Sequence, residues 1–165
     1  MKRLAIPVAI VVALGLAGCG SDSSTPSTPS PTNITVFTVQ LNPANETPPV
    51  TNAENVARGT AVITVHKDTN AIDFNVSVNS FPAGSTLTAA HIHPGAAGVA
   101  GGVLISTGLS AGNAPTLTNG AGTFSFTGVS TSADNINNIL ANPQNFYFNV
   151  HTALNGPGVM RGQLK

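Results

Sequence analysis

The sequence predicts an all-β fold, an antiparallel Greek-key sandwich or barrel of about eight strands with one short helix. Three observations carry that prediction. Apolar and polar residues alternate with a period of two along most of the chain after residue 33, glycine-rich turns separate the alternating runs, and one segment alone has helical spacing. A parallel α/β fold would need crossover helices that the pattern does not supply.

The first strand is "ITVFTVQL" (34–41), with Phe37, Val39 and Leu41 on one face. "GTAVITVHKD" and "AIDFNVSVNS" form a hairpin over 59–79 through the turn "KDTNA", and Ile72, Phe74, Val76 and Val78 share the core face. "LTAAHIH" and "GGVLIS" supply two further strands. "GTFSFTG" turns Phe124 and Phe126 inward, and "NFYFNVHT" does the same with Phe146, Phe148 and Val150. "GVMRGQLK" closes the chain as the last strand. In "STSADNINNILANP" (130–143), Ile136, Ile139 and Leu140 recur at helical spacing, a serine or threonine caps the start and Pro143 ends it, which predicts the helix.

The N-terminus reads as an export signal over residues 1–18. Lys2 and Arg3 precede an apolar run from Leu4 to Leu16 that is too short for a comfortable transmembrane helix. The run closes on "LAGC", which resembles the lipobox of bacterial lipoproteins; that resemblance implies cleavage before Cys19 and a lipid on its thiol. Cys19 is the only cysteine, so no disulfide can form within the chain and burial has to supply its stability. Residues 19–33 continue as a Ser/Thr/Pro-rich tether with almost nothing to bury. At about 3 Å per residue it spans up to roughly 40 Å. Residues 34–165 form one domain, long enough to bury about two-thirds of its unfolded surface. The expected location is the cell envelope, periplasmic or at the cell surface, with the membrane as partner through the lipid.

Loss of Lys2 and Arg3 leaves four basic against six acidic residues, a formal charge of about −2. That balance argues against nucleic acid as a partner. No Gly-rich loop opens a helix after a strand, so nucleotide binding is not indicated, and no local motif assembles a nucleophile with its base. The residues favour a non-enzymatic role, with an unknown protein or small molecule as ligand.

Alternation also places the polar candidates. In "AAHIH", Ile92 takes the core face, so His91 and His93 share the other, with Cα atoms about 7 Å apart. By the same reasoning Tyr147, Asn149 and His151 point outward from "FYFNVHT", and Arg161 and Gln163 from the last strand. If those strands are neighbours, three histidines, a tyrosine and an arginine form one polar cluster. His66, beside Lys67 and Asp68 at the end of a hairpin, reads as a solvated side chain. Glu46 in "NETPPV" reads equally as a partner for Arg161 or as a surface charge.

The segments "LNPANETPPV" (41–50), "ARGTAVITV", "AAHIHPGAAGVAGGVLI" and "YFNVHTALNGPGVMRGQL" resemble, in that order, the CHRD domain, named for repeats in chordin and widespread in exported bacterial proteins. The resemblance covers nearly the whole domain and implies an immunoglobulin-like or superoxide-dismutase-like β-barrel, with no settled activity. "HIHPG" and "VHTALNGPGVMRG" are also similar to the copper-site segments of copper/zinc superoxide dismutases. That likeness implies copper or zinc ligands at His91, His93 and His151, with Arg161 as an anion contact. The bridging histidine, the zinc-site cluster and the disulfide of those enzymes have no counterpart here, which argues against dismutation.

Two functions follow as expectations. One is a lipid-anchored binding or structural module, in which His91, His93, His151 and Arg161 hydrogen-bond the glycine-rich loop 94–102 and Tyr147 and Glu46 add ligand contacts. The other is a copper- or zinc-binding protein or metalloenzyme with a three-histidine site.

Overall fold

A computed structural model describes residues 33–165. The export signal over residues 1–18, Cys19 and all of the tether except Asn33 lie outside the described residues. The strands are β1 (Ile34–Leu41), β2 (Arg58–His66), β3 (Ala71–Asn79), β4 (Leu87–Pro94), β5 (Ile105–Ser106), β6 (Gly122–Ser130), β7 (Phe146–Thr152) and β8 (Met160–Gln163). They form two four-stranded antiparallel sheets, in the orders β1-β2-β3-β6 and β5-β4-β7-β8. The pairings β3–β6 and β4–β7 join strands that are not consecutive, the crossing that separates a Greek-key sandwich from a simple meander.

The first sheet follows the alternation rule. Phe37, Val39 and Leu41 of β1 and Ile72, Phe74, Val76 and Val78 of β3 are buried, while their neighbours along each strand are half-buried or exposed. The β2–β3 register pairs Ile63 with Phe74 and Val65 with Ile72, so apolar residues meet on one face. Phe74 stacks against Phe148 of the opposite sheet, ring centroids 5.7 Å apart, and this contact ties the layers together. Phe124 is buried as expected, whereas Phe126 is only partly covered. β6 is an edge strand with no neighbour on its far side, so Phe126, although opposite Phe74 and packed against the core, is covered from one side only.

The predicted helix is α1 (Ala133–Ala141). The Ser132 hydroxyl accepts from the Asn135 amide at 3.1 Å, Ile136 and Ile139 are buried, and Pro143 follows the last turn. The strand expected in "GGVLIS" shortens to Ile105–Ser106, because the glycines before it run as a loop.

The second sheet departs from the alternation rule. All seven residues of β7 are buried, as are Met160, Arg161 and Gly162 of β8. Tyr147, Asn149, His151 and Arg161, expected to face solvent, are therefore interior. Strand direction is as predicted, but a second layer of chain covers that face. Gly95 to Gly101 lies over it, and Asn42 pairs with Arg161 through two backbone hydrogen bonds of 3.1 and 3.3 Å, bringing the segment after β1 over the β8 edge.

Candidate metal centre

β4 and β7 are hydrogen-bonded neighbours, with His91 opposite Asn149, His93 opposite Tyr147 and Ala89 opposite His151. That register and the period of two bring His91, His93 and His151 together, with one nitrogen of each ring within 4.8 Å of the others. His93 and His151 are buried and His91 is half-buried.

The hydrogen bonds fix which nitrogens face inward. His93 Nδ1 lies 3.0 Å from the Gly101 carbonyl and His151 Nδ1 lies 2.8 Å from the Gly156 carbonyl. A carbonyl only accepts, so both rings carry their proton on Nδ1, and both Nε2 atoms hold a lone pair. His151 Nε2 is 3.0 Å from His91 Nδ1, which places the proton of that contact on His91. Asn149 Oδ1 also lies 3.0 Å from His151 Nε2, and the contact is satisfied when the amide is turned to present its N–H. His93 Nε2 is buried and has no partner.

Two of the three rings, His91 and His151, are held neutral. Burial lowers the pKa of His91 to about 4, with the nearby His151 and His93 acting in the same direction. Burial also lowers that of His151, partly opposed by its bond to Gly156 and reinforced by His93. Three imidazoles that each bring one nitrogen to a common point are a donor set suited to zinc or copper. Bonds of 2.0–2.1 Å place two nitrogens about 3.4 Å apart at a tetrahedral metal. The 3.0 Å pair is close to that spacing, and the ligand nitrogen of His93 lies within 4.8 Å of both. Carbonyl partners on the far nitrogens are the support that orients metal-binding histidines.

The loop over this face is pinned at several points. Besides His93, Tyr147 meets Gly101 through its hydroxyl at 3.3 Å, Arg161 Nη1 donates to the Val99 carbonyl at 3.1 Å, and Gln163 Nε2 donates to the Gly95 carbonyl at 3.0 Å. Most of these partners are carbonyls rather than the amides expected. A side chain at position 101 would collide with the Pro94 carbonyl, so glycine is what permits the loop to close this tightly. His91 and His151 make no hydrogen bond to the loop; they bond each other and Gly156.

Arg161 does not reach the histidines. Its guanidinium carbon lies 4.1 Å above the Tyr147 ring, and His93 stacks on the same ring at 4.9 Å. The strand order β4-β7-β8 puts His93 and Arg161 on opposite sides of Tyr147. Glu46 is buried rather than a surface charge, and Gly158, at φ +144°, makes room for it: a side chain there would strike the Glu46 carboxylate and the Asn149 amide. Burial raises the Glu46 pKa to about 7, against the opposing pull of Arg161. No ion pair within 4.0 Å joins the two among the described residues. His66, expected to be solvated, instead pairs with Asp73 across the hairpin at 2.8 Å. The Gly128 amide and that histidine together hold the Asp73 pKa below its ordinary value. The backbone partners at Gly101 and Gly156 and the clearance at Gly158 had no signal in the sequence beyond the glycines of the two motif segments.

Two four-stranded antiparallel sheets with a polar face sealed inside define an all-β sandwich of the binding or structural kind. The chain belongs to the CHRD domain family, which matches residues 37–164. Comparison with curated proteins and with solved structures returned no match. The three segments 41–50, 89–105 and 147–164 converge on the β4-β7-β8 face and the β8 edge, so the resemblance and the geometry concern the same region.

Proposed function

We propose that this domain is a metal-binding module of the cell envelope, holding copper or zinc through His91 Nδ1, His93 Nε2 and His151 Nε2, and anchored by a lipid on Cys19. The observation that carries the metal reading is the buried, unpartnered Nε2 of His93 beside two other imidazole nitrogens. A buried polar atom left without a partner is destabilising unless something outside the chain satisfies it. Three nitrogen donors leave a coordination position open, which suits storage, transfer or redox use of the ion. Ligation through His91 Nδ1 requires the other neutral tautomer, with the ring proton moved to Nε2 and the contact to His151 given up. The anchor rests on the Leu4–Leu16 run and "LAGC".

A second reading is favoured by the four side chains that fasten Gly95 to Gly101: the cluster is a hydrogen-bonded brace for that loop, and the ligand binds elsewhere. The brace uses His93 Nδ1 and gives no role to Nε2. Elemental analysis of protein purified without chelators or an affinity tag separates the two. The metal reading expects copper or zinc near one equivalent per chain, lost in His93→Ala. Less than a tenth of an equivalent of either, before and after incubation with both ions, leaves the brace.

A further inference from the structure

We propose that Asn149 is the fourth ligand of the ion held by His91, His93 and His151, taking through its amide oxygen the position that the three nitrogens leave open. The inference rests on the metal reading above and adds a residue to it. Asn149 stands opposite His91 in the β4–β7 ladder and two residues before His151 on β7, so its side chain shares the face of the trio. It is 1% exposed. Its Oδ1 lies 3.0 Å from His151 Nε2, the same distance that separates His151 Nε2 from His91 Nδ1. Both distances are near the spacing of about 3.4 Å between neighbouring ligand atoms at a tetrahedral metal.

With the oxygen inward, this contact needs a cation. His151 carries its proton on Nδ1, against the Gly156 carbonyl, so its Nε2 offers a lone pair. Two acceptors then face each other at hydrogen-bond distance. Two arrangements remove the repulsion. The amide turns to present its N–H, which serves the metal-free chain, or a cation stands beside both atoms and takes both lone pairs.

The far side of the amide supports the second arrangement. A Cβ built on Gly158 would stand 2.9 Å from Asn149 Nδ2 and 2.7 Å from Glu46 Oε1, so those two atoms flank one small space that glycine leaves free. Glu46 Oε1 is buried and has no partner. An amide held oxygen-inward turns its N–H towards that side, and a slight approach gives Glu46 Oε1 its donor while the ion takes Oδ1. Glu46 also serves the turned amide, because its O–H, when protonated, donates to Oδ1. Glu46 is thus the positioning residue for Asn149 in both states, in the way that outer partners orient metal ligands. An amide oxygen is an uncharged ligand, so it fills the position at rest and yields it to a stronger donor.

The test loads the tag-free full chain with cobalt(II), whose visible absorption bands respond to a change of ligand, and titrates sodium azide at constant ionic strength. The wild type should bind cobalt and resist azide, because the amide oxygen already holds the position. Asn149→Ala opens it and should lower the azide half-saturation concentration at least tenfold. Because that change empties a buried position and risks the fold, Asn149→Asp is the second variant. Its side chain has the same size and a stronger oxygen donor, and should raise the half-saturation at least threefold above the wild type. A role in folding alone would move the melting temperature and leave the azide curves where they were. Wild-type azide affinity in either variant, with cobalt bound, would overturn the fourth ligand and leave the three-histidine site standing. Failure of the wild type to bind cobalt would overturn both.

Discussion

His93 and Tyr147 stack almost flat, with ring planes 4° apart and centroids separated by 4.9 Å. The Arg161 guanidinium lies against the same Tyr147 ring, so a tyrosine divides the buried polar face into a histidine compartment and an arginine compartment. Each has its own unpartnered atom, His93 Nε2 in one and Arg161 Nη2 in the other. The dismutase-like expectation of an anion held by Arg161 at the metal does not survive this arrangement.

Tyr147 has a second task, since its hydroxyl meets the Gly101 amide at 3.3 Å. Tyr147→Phe keeps the stack and removes that bond. It should cost about 1 kcal/mol in urea melts. Tyr147→Ala removes the ring itself and should cost about 3–5 kcal/mol. Equal losses would mean the hydroxyl, not the partition, is what stabilises the face.

Phe74 is fully buried at the junction of the two sheets, and Asn75 beside it is exposed. Phe74→Ala should lower stability by about 3–5 kcal/mol. Asn75→Ala should change it by less than about 0.5 kcal/mol. Chemical denaturation of the two variants checks the strand's faces directly.

Glu46 should give stability a distinctive pH dependence. Below its ordinary pKa of 4.5 the carboxyl is protonated in both folded and unfolded chains. As pH rises the unfolded chain ionises first, while the folded carboxyl keeps its proton up to about 7, so stability falls across that window. His91 and His151, with lowered pKa values, act in the opposite sense: their contribution is lost as pH falls below about 6.5. Glu46→Gln leaves the histidines in place and isolates the carboxyl. The variant should match the wild type at pH 4 and exceed it at pH 8 by up to about 3 kcal/mol. A difference that does not grow with pH would place Glu46 in contact with water.

Cys19 lies outside the described residues, and the anchor is tested in cells. Cys19→Ala should move the protein from the membrane pellet to the soluble fraction. One acyl chain binds a membrane only marginally, whereas two or more hold firmly. A variant that still pellets, with no labelled fatty acid in the wild type, would remove the lipid from the account.

The strands, the hairpin, the helix and its serine cap were legible because local periodicity and capping act within a few residues. The co-facing of His91 and His93 was legible for the same reason, and His151 joined them through the β4–β7 pairing. What alternation could not convey is that the polar face is itself interior. A period of two distinguishes the sides of a sheet, not what lies over each side. The covering comes from Gly95 to Gly101 and from the segment after β1, which reach the face through contacts far apart in sequence, such as Arg161 with Val99. The inward turn of Glu46 depends on Gly158, more than a hundred positions away. The His66–Asp73 pair was missed because the nearer Lys67 and Asp68 made the hairpin end look solvated.

The central claim, that the three imidazoles hold a metal, is tested most directly by thermal melting of the metal-stripped chain with and without copper or zinc. The account predicts a stabilisation of about 2.7 kcal/mol at a hundred times the dissociation constant. Protons compete for the same nitrogens, so the effect should shrink as pH falls and be gone by about 4, where His91 itself takes up a proton. His91→Ala, His93→Ala and His151→Ala should each abolish it, and His66→Ala, whose ring pairs with Asp73, should retain it. A melting temperature indifferent to both metals at pH 7 would contradict the account and leave the histidines as the brace beneath Gly95 to Gly101.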